Sequence, residues 1–357
     1  GLGNETRLQS EFLTHLQQMP ESLLPKMGAT SSRLLTGNHS QLPLLEQELL
    51  DWYKLALSDE QRSTCNKEVL VVNSGYHANI GILPALAKLP LNTLILTDTL
   101  IHASLIDGVR LIGSKNKHCS YQRYRHNDMH HLAALIEQAS DDIERIIVVT
   151  ESIFSMDGDR ADLKALVNLK AQDPRIELYI DEAHAVGVLG HNGLGLAEET
   201  QTLEDIDYLV GTFGKAFASM GAYVICDKSI REWLVNQMRS FIFSTALPPI
   251  THCWTRFVLA KMPTLYNLRT HLADLSVRVS QAINADSDMA YQSPIIPYIL
   301  GDNASAVQKA QQLQQAGFYA LPIRPPTVPV GTARIRLVMN AKLTTADCDR
   351  LIEQLTS

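Results

Sequence analysis

The chain has 357 residues, is 45% hydrophobic and carries a net charge of −7. This charge is unfavourable for binding nucleic acid or an anionic membrane, and no run is long and apolar enough to cross a bilayer, so neither partner is expected. The five cysteines are scattered without CxxC spacing, which is typical of reduced thiols in a cytoplasmic protein and not of disulfides or a metal site.

Short apolar strands alternate with helices through residue 226. A polar start contains helices near 11–18 and over 44–57. The predicted strands cover 69–72, 93–98, 120–124, 145–150, 177–180, 208–212 and 222–226. The predicted helices between them cover 78–89, 102–112, 129–138 and 161–169. This alternation predicts an α/β fold with a mostly parallel sheet flanked by helices.

The pattern changes at Pro248 and Pro249. A helical connection over 250–285 comes next. The remaining predicted elements are strands over 295–300, 318–322 and 333–339 and helices over 304–316 and 344–355. They predict a smaller C-terminal α+β domain.

Polar residues come at the ends of several predicted strands in the first part of the chain. Ligands of parallel sheets bind beyond the carboxyl ends of the strands. We therefore expect one site assembled from distant parts of the sequence. The residues at these ends are Ser74, Asp98, Glu151, Asp181 and Thr212.

Lys215 lies just after the predicted strand 208–212 and before a run of small residues. Lysines mostly stay in water. A partly desolvated lysine, however, loses its proton more readily and can form a Schiff base with a carbonyl group. The alternative is a surface lysine whose apolar stem covers the rim of the core.

Three further features are consistent with a cofactor site. Gly75 and Tyr76 stand between a strand and a helix, where backbone N–H groups bind phosphate, although an ordinary turn has the same pattern. Asp181 and His184 could hold a ring nitrogen and a neighbouring oxygen of a cofactor, or ligate a metal, but no second His or Cys lies at ligand spacing. His102 begins a helix and could be a cap, a stacking group or an acid–base group.

Arginines near the C-terminus suit the binding of a carboxylate. Arg334 and Arg336 alternate along a predicted strand and should share one face, which could also be a solvated sheet face. Arg324 opens the segment 324–329, which is expected to be stiff and extended because its prolines restrict φ.

Six ordered motifs together resemble the α-oxoamine synthases, which are fold-type I pyridoxal-phosphate transferases that condense an amino acid with an acyl thioester and release CO2. The resemblance runs over nearly the whole chain. The motifs are Ser74-Gly75-Tyr76, His102-Ala103-Ser104, 150–159, Asp181-Glu182-Ala183-His184, Thr212-Phe213-Gly214-Lys215 and 244–249.

The resemblance implies that pyridoxal 5'-phosphate is the cofactor. Lys215 would hold it covalently and move the Cα proton, Asp181 would pair with the ring nitrogen, and His102 would stack on the ring and contact substrate. Ser155 and His184 would bond its phenolic oxygen.

The remaining matched residues would hold phosphate and substrates. The resemblance implies a phosphate site at Gly75, Tyr76 and Thr212, with Thr245 reaching the phosphate of the neighbouring subunit in a homodimer. It implies substrate contacts at Arg336 for the amino-acid carboxylate and at Thr327 and Arg324 on the acyl side.

The segments 323–329 and 333–336 are most similar to the family member that condenses L-alanine with a pimeloyl thioester, carried on coenzyme A or a carrier protein, in biotin synthesis. Glycine C-acetyltransferase and 5-aminolevulinate synthase, which use glycine, remain alternatives within the family. Outside it, a nicotinamide oxidoreductase lacks its glycine fingerprint here and leaves Lys215 unexplained. A catalytically silent cofactor-binding protein is the third possibility.

The resemblance also suggests the domain organisation. Gly1-Leu2-Gly3 is similar to the end of the family's Asn-Asp-Tyr-Leu-Gly motif, so residues 1–40 are expected to be the remainder of an N-terminal segment that helps to cover the acyl-substrate site. Residues 41–249 would form the large cofactor-binding α/β domain and 250–357 the small C-terminal domain.

Overall fold

The computed structural model describes residues 6–113, 116–283 and 293–356. Gly1-Leu2-Gly3 therefore lies outside the described residues. The chain divides into two compact units: the first runs to Ser152 and continues over Ala161–Thr264, and the second combines Ile153–Arg160 with the chain from Leu265 onward.

The strands of the first unit form one twisted layer. They are β1 (Lys67–Val72), β2 (Thr93–Asp98), β3 (Cys119–Tyr124), β4 (Arg145–Glu151), β5 (Ile176–Asp181), β6 (Tyr208–Thr212) and β7 (Ala222–Asp227). Across the part of the chain that is described, these seven make a sheet in the order β1-β7-β6-β5-β4-β2-β3. Only β7 runs antiparallel to its neighbours, so the sheet is mostly parallel, as predicted.

Helices cover this sheet. They are α1 (Thr6–Gln18), α2 (Gln41–Leu55), α3 (Asp59–Thr64), α4 (Gly75–Leu86), α5 (Ala103–Ile112), α6 (Met129–Glu137), α7 (Leu163–Gln172), α8 (Leu196–Glu199), α9 (Lys228–Gln237), α10 (Arg239–Ile242) and α11 (Pro249–Leu259). Side-chain caps decide several of their starts, because a capping oxygen satisfies an N–H that the helix leaves free. Ser74 accepts from the His77 N–H at the start of α4, and Asp162 accepts from the Ala165 N–H at the start of α7.

Helix α4 lies at the centre of the main hydrophobic core. Its Ile82, Leu83 and Leu86 are fully buried and belong to one cluster with sheet residues such as Leu70 and Ile147. Because α4 directly follows β1, this packing fixes the start of α4 at the end of that strand. Helix α5 approaches α4 closely: a Cβ on Gly108 would lie 2.4 Å from the backbone oxygen of Asn79.

The first unit extends past the predicted boundary at residue 250. Arg256 of α11 makes a two-pronged ion pair with Glu48 of α2, at 2.5 and 2.9 Å, and donates to Gln41. On the other side Phe12 of α1 packs edge-on against Trp254. These contacts join α11 and the N-terminal helix α1 to the first unit. The division into domains over 1–40, 41–249 and 250–357 stays a prediction.

The second unit has its own small core. It contains β8 (Ile295–Gly301), β9 (Pro322–Ile323) and β10 (Ala333–Val338), together with α12 (Tyr266–Ile283), α13 (Asn303–Gln315) and α14 (Thr345–Thr356). The described strands pair antiparallel in the order β8-β10-β9. Residues such as Leu275, Ile335 and Leu351 are buried between the helices and this sheet.

The helical connection predicted over 250–285 consists of α11, a 3₁₀ turn (Met262–Leu265) and α12; residues 284 and 285 lie outside the described residues. Two other details of the C-terminal prediction are wrong. The strand expected over 318–322 pairs with β10 only at Pro322 and Ile323. The segment after it turns instead of extending, because the Thr327 N–H donates to the Arg324 carbonyl oxygen.

None of the helices in the described residues is long and apolar enough to cross a membrane.

His252 of α11 gives the first unit a pH-dependent stability. It is 2% exposed, and burial, assisted by the charge of Arg33, lowers its pKa from 6.5 to about 4. The fold therefore favours the neutral ring, and stability is lost as the pH falls from about 6.5 through 4, by up to about 3 kcal/mol. We expect the free energy of unfolding, measured with denaturant, to fall over this pH interval in the parent protein and to fall less in His252→Leu. Parallel pH profiles for the two proteins would contradict this.

Candidate active site

Strand register brings the polar strand ends of the first unit to one edge of the sheet. Glu151 at the end of β4 is paired with Asp181 at the end of β5. Thr212 at the end of β6 is opposite Ala222, which is also opposite the last residue of β1. Parallel strands end on the same side, so the predicted edge is present in the structure.

Asp98 does not contribute to this site. It is fully buried, and its carboxylate accepts hydrogen bonds from the backbone N–H groups of Leu100 and Asn127, at 2.8 Å each, and contacts His126 Nδ1 at 3.0 Å. Both oxygens therefore hold the loops that follow β2 and β3. Asp98 and Asp181 both end apolar strands, so the sequence could not distinguish them. Only their hydrogen-bond partners in the structure differ.

Asp181 is held by two N–H donors. Its Oδ2 accepts from Asn79 Nδ2 at 2.8 Å and its Oδ1 accepts from the Ala183 backbone N–H at 2.9 Å. The side chain is 5% exposed. An ionised carboxylate only accepts hydrogen bonds, so both contacts suit the charged form and fix its orientation.

The start of α4 lies beside Thr212. A Cβ on Gly75 would be 3.9 Å from the Thr212 side chain. The first N–H groups of a helix have no acceptor within the helix, and those of Gly75 and Tyr76 belong to this turn. The Thr212 hydroxyl accepts from the Gly214 N–H and donates to the Gly221 carbonyl oxygen. The corner can bind an anion through backbone groups.

The Tyr76 hydroxyl is already used in another contact and is not offered to an anion. Its hydroxyl donates to Asp107 Oδ2 at 3.0 Å on the surface, and this hydrogen bond raises the pKa of the phenol. Tyr76 could therefore bind an anion through its backbone N–H, as could the glycine before it.

Lys215 is exposed, contrary to the expectation of a partly desolvated amine. The flanking Phe213 and Phe217 take the core positions, both at 0% exposure and with ring centroids 5.4 Å apart. The loop is closed by the Ala218 N–H donating to the Lys215 carbonyl oxygen. An exposed lysine is thus carried on an anchored loop at the carboxyl edge of β6.

Glu151 is a buried carboxyl group. The sequence predicts that it lies at the carboxyl edge of the sheet but indicates no role for it. It is 2% exposed, and within the described chain its Oε1 has no hydrogen-bond partner. Burial and the charge of Asp181 raise its pKa well above the usual range, and the opposing effects of Lys215 and of the His102 backbone N–H are smaller. The geometry therefore favours a neutral Glu151 beside Asp181.

His102 caps α5 with its side chain. Its Nδ1 accepts from the Ser104 backbone N–H at 3.2 Å and lies 2.7 Å from Ser104 Oγ, while the imidazole itself is exposed. Ser104 Oγ in turn accepts from Asn79 Nδ2 at 2.9 Å.

Asn79, Ser104 and Tyr179 were missed by the sequence analysis. All three are fully or almost fully buried; Asn79 and Ser104 connect Asp181 with His102, and the Tyr179 hydroxyl donates to Asn79. One signal was present: Asn79 stands four residues after Gly75 and before a run of apolar residues in α4, so it lies one turn further on the same face.

His184 is half-buried in the turn after β5. The turn is anchored by the neighbouring Glu182, whose carboxyl group accepts from Ser152 Oγ and from the backbone N–H groups of Leu196 and Ala197. Burial raises the pKa of Glu182 to about 7 against the effect of these three donors. Glu182 is thus a structural residue of the Asp181-to-His184 motif.

Thr245 has an exposed side chain and a fixed backbone. Its carbonyl oxygen accepts from Asn73 Nδ2 at 2.7 Å, and Ser32 pairs with it as an isolated bridge. Since Asn73 directly precedes Ser74, the residue lies near the start of α4. An exposed hydroxyl there is available to a neighbouring molecule.

The second unit brings Ser155 and Arg336 together. Arg336 is half-buried and donates from Nε to the Ser155 carbonyl oxygen, while burial lowers the pKa of its guanidinium. Arg334, on the same face of β10, forms an ion pair with Asp157, so its guanidinium group is already used. Thr327 and Arg324 are exposed in the turn between β9 and β10.

A model of the family described as aminotransferase class I and II matches residues 4–355. The chain belongs to this family. The 8-amino-7-oxononanoate synthase of Haemophilus ducreyi is 52% identical over 99% of this chain and 87% of that protein. A putative 8-amino-7-oxononanoate synthase of Pasteurella multocida is 50% identical over 99% of this chain and 86% of its own. The predicted resemblance is confirmed.

Solved structures confirm the predicted fold-type I transferase fold. Serine palmitoyltransferase from S. paucimobilis, with a bound adduct of pyridoxal phosphate and myriocin, superimposes with a TM-score of 0.84 at 26% identity, over 99% of this chain and 84% of that chain. The 8-amino-7-oxononanoate synthase of Francisella tularensis gives a TM-score of 0.76 at 22% identity, over 99% and 93% of the two chains, and supports the fold alone.

The residues of the first unit suit pyridoxal phosphate chemically. Asp181 offers an oriented carboxylate for a protonated ring nitrogen. The start of α4 beside Thr212 offers backbone N–H groups for a phosphate, and Lys215 is an exposed lysine that could react with an aldehyde. Each reactive part of the cofactor thus has a matching group at one sheet edge.

Proposed function

We propose that the protein is a pyridoxal-phosphate-dependent acyltransferase that condenses L-alanine with a pimeloyl thioester. The products would be 8-amino-7-oxononanoate, CO2 and the free thiol of coenzyme A or a carrier protein, as a step in biotin synthesis. One observation carries the proposal. The chain is about 50% identical, over 99% of its length, to proteins named 8-amino-7-oxononanoate synthase.

Within this proposal the bound cofactor supplies an electron sink for charge that develops at the alanine Cα. Lys215 holds the cofactor and then takes the Cα proton, because its amine is exposed on an anchored loop. Asp181 keeps the ring nitrogen protonated, and His102 covers one face of the ring.

Other residues bind and orient. The phosphate is assigned to Gly75, Tyr76 and Thr212, and the phenolic oxygen to Ser155 and His184. Arg336 binds the alanine carboxylate, because the terminal nitrogens of its guanidinium remain available while Nε holds Ser155.

Thr327 and Arg324 are assigned to the acyl side, where their exposed turn can meet a long substrate. The protein is also proposed to act as a cytoplasmic homodimer. All five cysteines are free thiols, and the Thr245 hydroxyl is exposed for the phosphate of a second subunit.

Turnover decides the substrate pair. L-Alanine with pimeloyl thioester should be consumed faster, by kcat/KM, than glycine with acetyl or succinyl thioester and than L-serine with palmitoyl thioester. Release of CO2 and thiol in equal amounts is the measurement. Higher kcat/KM with any of the other pairs would overturn the proposed substrates but keep the reaction class.

Replacing Arg336 by lysine keeps a positive charge but removes the planar fork. We expect the KM for alanine to rise about tenfold, corresponding to about 1.4 kcal/mol, with a smaller effect on kcat. Arg350→Lys is the matched control, because Arg350 is an exposed arginine of the same unit paired with Asp347. A rise in the KM for the thioester alone would move Arg336 to the acyl side.

A further inference from the structure

Asn79 is the branch point of a buried chain of hydrogen bonds in the first unit. Its Nδ2 donates to Asp181 Oδ2 at 2.8 Å and to Ser104 Oγ at 2.9 Å, and its Oδ1 accepts from the Tyr179 hydroxyl at 2.7 Å. The side chain is 1% exposed. Every polar atom of the amide is thus used, and the amide can take only one orientation.

The same chain fixes the state of His102. Since Ser104 Oγ accepts from Asn79, its own proton is free to point at His102 Nδ1, 2.7 Å away. The Ser104 backbone N–H also donates to this nitrogen, at 3.2 Å. Two donors aimed at Nδ1 make it an acceptor, which leaves the ring proton on Nε2.

We propose that Asn79 is a positioning residue that sets Asp181 and His102 together, holding the carboxylate directly and the imidazole tautomer through Ser104. This inference rests on the proposed function, in which Asp181 meets the edge of the cofactor ring and His102 meets its face. One amide would then fix two contacts to the same ring, although Asn79 itself is buried behind both.

A merely structural role is the alternative. Asn79 lies where α4, α5 and β5 meet, and α5 approaches its backbone closely at Gly108. In that case its loss would lower stability without a specific effect on the imidazole. The two branches can be cut separately: Ser104→Ala removes only the hydroxyl of the His102 branch, while Asn79→Leu removes both branches and keeps a side chain of similar branched shape.

Tyr179→Phe is the matched control. It deletes a buried hydroxyl that bonds the same amide but leaves the bonds to Asp181 and Ser104 in place. Asn79→Ser serves as a second variant if Asn79→Leu does not fold. Thermal unfolding of each full-length variant measures the structural cost independently.

The experiment reads the tautomer of His102 by ¹⁵N NMR on the full chain labelled at its 12 histidines, with His102→Gln used for assignment. We expect an unprotonated Nδ1 in the parent and in Tyr179→Phe. In Ser104→Ala, Asn79→Leu and Asn79→Ser we expect a measurable fraction of the Nδ1-protonated tautomer, because the hydroxyl donor is lost or no longer oriented and the Ser104 backbone N–H alone stays fixed on Nδ1. An unchanged His102 signal in folded Asn79 variants would overturn the proposal, as would an equal change in Tyr179→Phe.

Pyridoxal phosphate is then titrated into the same samples. Asn79→Leu should weaken its binding about tenfold or more, because a hydrogen bond to a charged group is lost, and Ser104→Ala should weaken it less. Equal losses in the two variants would remove Asp181 from the proposal. If the parent protein bound no cofactor, the proposed function would fail, while the tautomer measurement would still decide whether Asn79 positions His102.

Discussion

Lys215→Ala is expected to abolish product formation, lowering turnover by at least about 10³-fold, because one side chain both holds the cofactor and moves the Cα proton. The structure gives the reason for choosing this lysine. Its amine is exposed at the carboxyl edge of β6, and two buried phenylalanines at positions 213 and 217 hold the loop around it. Alanine removes the amine without disturbing these anchors.

The measurement combines turnover with covalent labelling. Borohydride should fix pyridoxal phosphate on the parent protein at a single peptide containing Lys215, and the variant should give no such adduct. Lys88→Ala is the matched control, because Lys88 is also exposed in the first unit and its side chain donates to the Gln237 carbonyl oxygen at the surface. An adduct on a different lysine would refute the assignment.

The order of strands and helices in the first unit could be predicted because most of its strands are apolar runs, as expected when both faces of a parallel sheet are covered; the edge strand β3 is the polar, exposed exception. The edge residues were predicted from the same rule. What the pattern could not give is the partner of each side chain. Asp98 and Asp181 both end apolar strands, yet Asp98 holds loops and Asp181 is oriented by Asn79.

The arginines of β10 show the same limit. Alternation correctly placed Arg334 and Arg336 on one face, but only tertiary contacts distinguish them. Asp157, distant in sequence, neutralises Arg334, while Arg336 meets a backbone oxygen. The segment 324–329 failed for a different reason: prolines favour an extended backbone but are also common in turns, and here a hydrogen bond from the Thr327 N–H to the Arg324 carbonyl oxygen closes a turn.

Asp181→Asn is expected to lower kcat by about 10²–10³-fold, because it removes the negative charge proposed to keep the ring nitrogen protonated. The site is also geometrically intolerant of the amide. Both carboxylate oxygens accept from N–H groups, so Asn at this position must turn its own NH2 toward either Asn79 or Ala183. A buried mismatch of this kind costs about 1–3 kcal/mol of stability, which thermal unfolding would report separately from kcat.

Glu151→Gln provides the matched comparison, since Glu151 is the neighbouring acid in strand register with Asp181 and is also buried. Because burial and Asp181 raise its pKa well above the usual range, the neutral form of Glu151 is favoured, and a neutral amide of the same shape should replace it with most activity kept. Two isosteric acid-to-amide changes on adjacent strands should therefore differ by two orders of magnitude or more in kcat. Equal losses in the two variants would mean that Glu151 is charged in the working enzyme and that Asp181 is not the only anion at this edge.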